Sequence, residues 1–224
     1  MARICVLSDT HTFHEELKLP ENIDIYIHAG DFTHVGEYTE TIKFLRWFSQ
    51  LECKHRILIT GNHEKGWWKN PSLYKSEVPE NVIHLEDDLV QLEGLNIYGS
   101  PHTKEFYGWA WPYYNEESAD LIWKRIPDNV DILVTHQPPY GVGDLSEFYR
   151  KGEDPNVGCK ILLSHVERVK PKLHVFGHIH SARGLYKILD WSTIFINAAN
   201  CNEAYKAVNR PIVIDTDLWE VVEA

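Results

Sequence analysis

The sequence predicts an α/β protein, a sandwich whose chemistry sits at one edge of a sheet. Three observations predict it. Short apolar runs at residues 3–7, 23–28, 56–60, 131–136 and 173–176 have the length and composition of strands buried on both faces. Between the second and third, residues 37–52 read as a helix, because Tyr38, Ile42, Leu45 and Phe48 recur at spacings of four and three and make one apolar face. Almost every apolar run then ends in polar residues that can bind a metal or move a proton.

The chain opens β-β-α-β. Its first strand ends in Ser8-Asp9-Thr10-His11, its second in Ala29-Gly30-Asp31, and its third in Gly61-Asn62-His63-Glu64. Residues 81–98 then alternate strand-like runs with turns, and Glu93-Gly94 suits a hairpin. Residues 100–115 form a loop rich in aromatic side chains, and 116–125 a short helix stopped by Pro127. The strand at 131–136 ends in His136, a long loop covers 137–156, and a helix is expected over 157–169. The strand at 173–176 runs into Gly177-His178-Ile179-His180. Two further strands are expected within 184–196 and a last one at 212–214. There is no repeat, low-complexity tract or linker, which predicts one domain over residues 1–224.

Composition bounds the function. A formal net charge of -11 argues against a protein that holds nucleic acid by a basic face, so no stable nucleic-acid binding is expected. Bound dications would restore positive charge where an anionic substrate needs it. The four cysteines, Cys5, Cys53, Cys159 and Cys201, are widely spaced, so neither a zinc ribbon nor a redox pair is written here. Reduced cysteines, a first strand that starts at Arg3, and no apolar run near the ~20 residues of a membrane span predict a cytoplasmic protein.

The strand ends together offer Asp9, His11, Asp31, Asn62, His63, His136, His178 and His180. Residues two apart in an extended segment point the same way, so Asp9 with His11, and His178 with His180, are each expected to face one centre. Carboxylate, amide oxygen and imidazole without thiolate suit Mn, Fe, Ni, Co or Zn. Trp67 and Trp68, together with Trp109, Trp111 and Tyr107, are candidates to wall the pocket and stack a base. A satellite hydrophobic cluster under the loop is the other reading of these aromatics. His34 follows Asp31 by three residues and reads as a loop histidine. His28, His55, His84, His165 and His174 read as hydrogen-bonded structural histidines, and Glu64 as a partner behind the site.

The series D-x-H, G-D, G-N-H-[DE], H and G-H-x-H, in this order at strand ends, resembles the calcineurin-like metallophosphoesterase superfamily. Further stretches are similar to its metallophosphoesterase-domain-containing (MPPED) group, itself similar to class III cyclic-nucleotide phosphodiesterases. They are Ala29-Gly30-Asp31-Phe32-Thr33, Gly61-Asn62-His63-Glu64, Tyr98-Gly99-Ser100-Pro101, Thr135-His136-Gln137-Pro138-Pro139, Val157-Gly158-Cys159 and Pro171-Lys172-Leu173-His174-Val175-Phe176-Gly177. The resemblance implies a four-layer α-β-β-α sandwich with two divalent ions, Mn foremost. It implies that Asp9, His11 and His180 bind the first ion, that Asn62, His136 and His178 bind the second, and that Asp31 bridges them. It implies in-line attack of a metal-bridging hydroxide on a small phosphodiester of nucleotide or cyclic-nucleotide type, with His63 as proton donor. Some members carry Gly in place of the first histidine of G-H-x-H and are catalytically weak; His178 stands here. The alternatives are a nucleotide-binding scaffold on the same fold, a phosphomonoesterase, or a nuclease. The sequence is silent on oligomeric state.

Overall fold

The computed structural model describes residues 2–149 and 152–223. Met1, Arg150, Lys151 and Ala224, which fall within the expected domain and, for the middle two, in the loop after His136, lie outside the described residues.

Two six-stranded sheets face each other. The first contains β1 (Arg3–Leu7), β2 (Ile25–Ala29), β3 (His55–Ile59), β4 (Ile83–His84), β13 (Ile212–Asp215) and β14 (Glu220–Glu223), in the order β14-β13-β1-β2-β3-β4. The second contains β5 (Asp88–Leu92), β6 (Leu95–Ser100), β9 (Ile132–Thr135), β10 (Leu173–Phe176), β11 (Gly184–Tyr186) and β12 (Ile194–Asn197), in the order β11-β12-β10-β9-β6-β5. In both sheets the central strands are parallel: β1 with β2 and β2 with β3 in one, β10 with β9 and β9 with β6 in the other. Parallel pairing puts all their carboxyl ends on one edge, where the polar blocks lie.

Alternation along each strand divides the core into layers. Ile4, Val6, Ile25, Ile27, Ile57 and Ile59 face Ile97, Ile132, Val134, Leu173, Val175 and Ile196 between the sheets. Cys5, Leu7 and Leu58 point the other way, onto Phe44, Leu45 and Phe48 of α1 (Tyr38–Ser49). Leu133, Phe176 and Phe195 point out of the second sheet onto α4 (Glu116–Trp123) and α5 (Lys160–Val169). Three apolar layers between four layers of structure make the α-β-β-α sandwich that the resemblance implied.

Several local expectations are corrected. The buried stripe of α1 is Thr41, Phe44, Leu45 and Phe48, while Tyr38 is exposed, so the helix is rotated from the expected face. The helix expected from residue 157 begins at Lys160, because Cys159 Sγ caps it by accepting the Leu162 N–H at 3.3 Å. The aromatic loop holds a two-stranded ribbon, β7 (Thr103–Lys104) with β8 (Pro112–Tyr113). Two short helices, α2 (Lys65–Lys69) and α3 (Pro71–Lys75), follow the third polar block. Strand β14 lies beyond the strand expected to be last. The Glu93-Gly94 hairpin is as expected: Leu92 pairs with Leu95 and both turn residues have positive φ, at 51° and 78°.

Candidate metal centre

Each polar block leaves its strand by an abrupt turn. Asp9, His11, Thr12, Asp31 and His178 all have φ between 40° and 72°, the left-handed region that is costly for residues with a Cβ. The two-residue spacing therefore does not act through an extended segment. Asp9 and His11 converge because the chain curls, and the curl is held by Asp9 N–H to Gly30 O at 2.9 Å and His11 N–H to Asp31 O at 3.1 Å. His178 and His180 do not share one cluster: His178 groups with Asp31 and His136, whereas His180 groups with Asp9 and His11.

Glycine is required where the loops cross. A Cβ on Gly61 would lie 2.7 Å from His136 Cε1 and 2.8 Å from the Asp31 nitrogen, and closer still to Asp31 Oδ1. A Cβ on Gly177 would collide with Asp9 Oδ2 and Ser8 Oγ. These glycines let the two sheets bring their loops into contact.

The imidazoles are oriented from behind. Nδ1–H donates to a backbone carbonyl in His11 (Thr33 O, 3.0 Å), His136 (Ala29 O, 2.8 Å) and His180 (Asn202 O, 3.1 Å). A carbonyl only accepts, so in each neutral ring Nε2 carries a lone pair and faces the centre. This is the backing found behind metal-binding histidines. The Nε2 atoms of His11 and His180 stand 3.1 Å apart. His180 Nε2 lies 3.3 Å from Asp9 Oδ1, and His136 Nε2 lies 3.0 Å from Asp31 Oδ2 and 2.9 Å from Asn62 Oδ1. Lone pairs converging in a buried space repel unless a proton or cation stands between them, so these residues fit a metal ion.

The electrostatics point the same way. Burial pulls His136 and His180 down, but the Asp31 carboxylate beside the first and the Asp9 carboxylate beside the second overcome it and hold each ring up at about 9. Burial opposes ionisation of Asp9 and Asp31 too, and the neighbouring imidazoles nonetheless hold both below the usual carboxylate range. Burial pushes His11 and His178 down to about 3, so both rings are neutral. Without metal, the positive charge beside Asp9 and Asp31 is thus carried by His180 and His136, and a cation bound there would take the place of their Nε2 protons.

His63 is placed differently. Its backbone N–H donates to Asp31 Oδ1 at 2.8 Å, its Nδ1–H donates to His34 O, and its Nε2 stands 3.9 Å from Asp31 Oδ2. Its ring is near enough to join a third group with His11 and Asp31. Glu64 is fully buried and accepts from the backbone of Asp31 (3.0 Å), Thr33 (3.0 Å) and Gly61 (2.6 Å), and from Thr33 Oγ1 (2.8 Å). Burial and the Asp31 charge push it up to about 8. His34 stacks on His11 with ring centroids 6.0 Å apart.

The tryptophan expectation is corrected. Trp67 is fully buried among Phe32, Tyr74 and His84, and Trp111 lies in the same core. Neither can stack a base. Residues 65–69 are helical, so successive side chains diverge: Trp67 turns inward and Trp68 outward, away from the cleft. Trp109 stacks on His63, with ring centroids 4.2 Å apart and an interplanar angle of 27°. A cleft of about 1090 Å³ opens over the centre, and Phe106, Tyr107, Tyr113, Tyr140, Phe148 and Tyr205 supply its aromatic wall. Tyr205, edge-on to His11 at 4.8 Å, was not anticipated, because it lies in an irregular segment with no motif or periodicity to single it out.

Among the other histidines, His28 bonds Thr10 Oγ1 at 3.0 Å, His55 bonds Glu93 and His165 bonds Asp120. His84 Nε2 and His174 Nδ1 are buried atoms without a hydrogen-bond partner, so neither ring is fully satisfied, although His84 as a whole is only half-buried.

A family model, Calcineurin-like phosphoesterase, matches residues 2–182. The chain belongs to the calcineurin-like phosphoesterase family. It is 39% identical to human metallophosphoesterase domain-containing protein 1 over 95% of this chain and 70% of that protein. Its fold is similar to that of a Thermus thermophilus protein, TT1561, with a TM-score of 0.67 and 12% identity, covering 100% of this chain and 98% of the other. A novel archaeal phosphodiesterase superposes at a TM-score of 0.50 with 17% identity, covering 99% of this chain and 98% of that one. Calcineurin-like phosphoesterases are dimetal-dependent hydrolases. The buried Asp and His groups of this member are ones that could hold metal. No helix among its described residues is long and apolar enough to cross a membrane.

Proposed function

We propose that this calcineurin-like phosphoesterase hydrolyses small phosphodiesters of nucleotide or cyclic-nucleotide type with two divalent ions, Mn foremost. Asp9, His11 and His180 would hold one ion, Asn62, His136 and His178 the other, and Asp31 would lie between them. The observation that carries the reading is the 3.1 Å approach of His11 Nε2 to His180 Nε2, both rings backed by carbonyls through Nδ1–H. When bound, the ions supply Lewis acidity and an activated water.

The chain's own residues do the rest. His63 meets the leaving oxygen as the imidazolium. It gives up the Nε2 proton and keeps its Nδ1–H on His34 O, so the ring stays put as its charge changes. Phe106, Tyr113 and Tyr205 narrow the cleft around the substrate's ester arm. The cleft's volume supports a small substrate over a polymer, and the likeness to an archaeal phosphodiesterase is in keeping with a diester. Cysteines that are widely spaced, with no C-x-x-C pair, suit a reducing, cytoplasmic setting.

The test is turnover of an aryl phosphodiester by purified protein loaded in turn with Mn, Ni, Co and Zn. Hydrolysis with at least one ion is expected. His63→Ala is expected to keep both ions and lose roughly 10²–10⁴-fold in rate on a diester with an alkoxide leaving group. Protein holding two ions that hydrolyses nothing with any of the four would overturn the reading.

A further inference from the structure

The third polar block is gripped by a second piece of chain. The segment between β7 and β8 crosses over it, and the Ala110 N–H donates to Asn62 O at 3.1 Å. Ala110 itself is fully buried, and Thr103 N–H to Trp111 O at 3.0 Å ties the segment's two ends together. The crossing is therefore anchored, and what it presents to His63 is the face of Trp109, at 4.2 Å and 27°.

His63 is constrained in three ways. Its backbone is fixed by Asp31 Oδ1, its Nδ1–H by His34 O, and its ring plane by Trp109 on one side and the edge contact with His11 at 4.6 Å. The first two leave the ring able to swing about its Nδ1 hydrogen bond. The stack with Trp109 removes that freedom. Lys65 Nζ lies 5.0 Å from the Trp109 centroid, and the half-buried indole is thereby packed from its own surroundings as well.

We propose that Trp109 is a positioning residue that holds the His63 imidazole in the plane from which Nε2 reaches the leaving oxygen. This rests on the reading of His63 as proton donor given above. A proton donor misplaced by about 1 Å loses much of its rate advantage, and the loss falls on substrates whose leaving group needs the proton. Trp109 thus acts through His63, without a contact to substrate.

The experiment compares wild type, Trp109→Leu, Trp109→Phe, His63→Ala and the Trp109→Leu/His63→Ala double variant. All are loaded with Mn and assayed on two diesters, one with a nitrophenolate and one with an alkoxide leaving group. Bound Mn and melting temperature are recorded for each. Trp109→Leu is expected to lower kcat roughly tenfold or more on the alkoxide ester and less than about threefold on the nitrophenyl ester, with KM little changed and two ions retained. Trp109→Phe keeps a flat ring and should restore most of the loss. In the His63→Ala background the leucine substitution should cost nothing further. Equal losses on the two esters, or additive losses in the double variant, would overturn the proposal while leaving His63's own role standing. No turnover of either ester by wild type holding two ions would overturn both.

Discussion

The Glu64 carboxylate stands behind Asp31 and accepts its backbone N–H at 3.0 Å, and the same Oε2 accepts the Gly61 N–H at 2.6 Å. One side chain thus ties the loop after β2 to the loop after β3. Glu64→Gln puts an amide nitrogen against either that pair of N–H groups or the Thr33 pair. It should cost about 1–3 kcal/mol of stability in the metal-free protein. Dication affinity should fall roughly 10–100-fold. Urea unfolding and metal titration read the two effects, and an unchanged titration would show that the Asp31 loop does not depend on Glu64.

Gly61→Ala adds a methyl between Asp31 and His136, where 2.7–2.8 Å is already too close. Overpacking of this kind costs about 1–3 kcal/mol. Because the displaced groups are the proposed ligands, metal stoichiometry should drop even at temperatures where the fold persists. Mass spectrometry under native conditions gives the count, and two tightly held ions in the variant would contradict this geometry.

Adding Mn to chelator-treated protein should raise its melting temperature, since ions that bind only the folded state stabilise it by about 2.7 kcal/mol per site at a hundredfold excess over Kd. Asp31→Ala should abolish most of the rise. A melting curve indifferent to Mn, Ni, Co and Zn would remove the case for a metal centre.

Burial pushes His84 and His174 down from 6.5 to about 3. The unfolded chain takes up these protons near 6.5 and the folded chain does not until about 3. Between those values the unfolded state holds more protons, so stability falls as pH falls, by about 1.4 kcal/mol per pH unit for each histidine. His84→Phe should flatten the slope of unfolding free energy against pH, measured on metal-free protein, by about one proton's worth. An unaltered slope would mean that His84 is already charged in the fold.

Much of the fold was legible because it depends on pattern. The central strands of both sheets are apolar runs, and their polar ends mark the edge where the candidate site lies. What stayed hidden depends on conformation and long-range contact. The left-handed turns at Asp9, Asp31 and His178 are only weakly marked by residue type, since Asp and His are enriched in that region but not obliged to adopt it. Trp67 and Trp68 are adjacent and chemically alike, and only a short helix that tertiary packing stabilises sends one into the core. Tyr205 reaches His11 across nearly the whole length of the chain, a contact that no local period encodes.

Asp9 and His11 leave β1 of the first sheet, whereas His180 follows β10 of the second; Asp31 leaves β2, whereas His136 and His178 follow strands of the second sheet. Neither of these two clusters is complete on one sheet, whereas the third group, His11, Asp31 and His63, comes from loops of the first sheet alone. Ions in the two proposed positions would load only once the two halves of the sandwich have docked, and would then rivet them. Shearing the sheets apart would empty both positions at once, so the release of metal during unfolding would time the moment the sandwich opens.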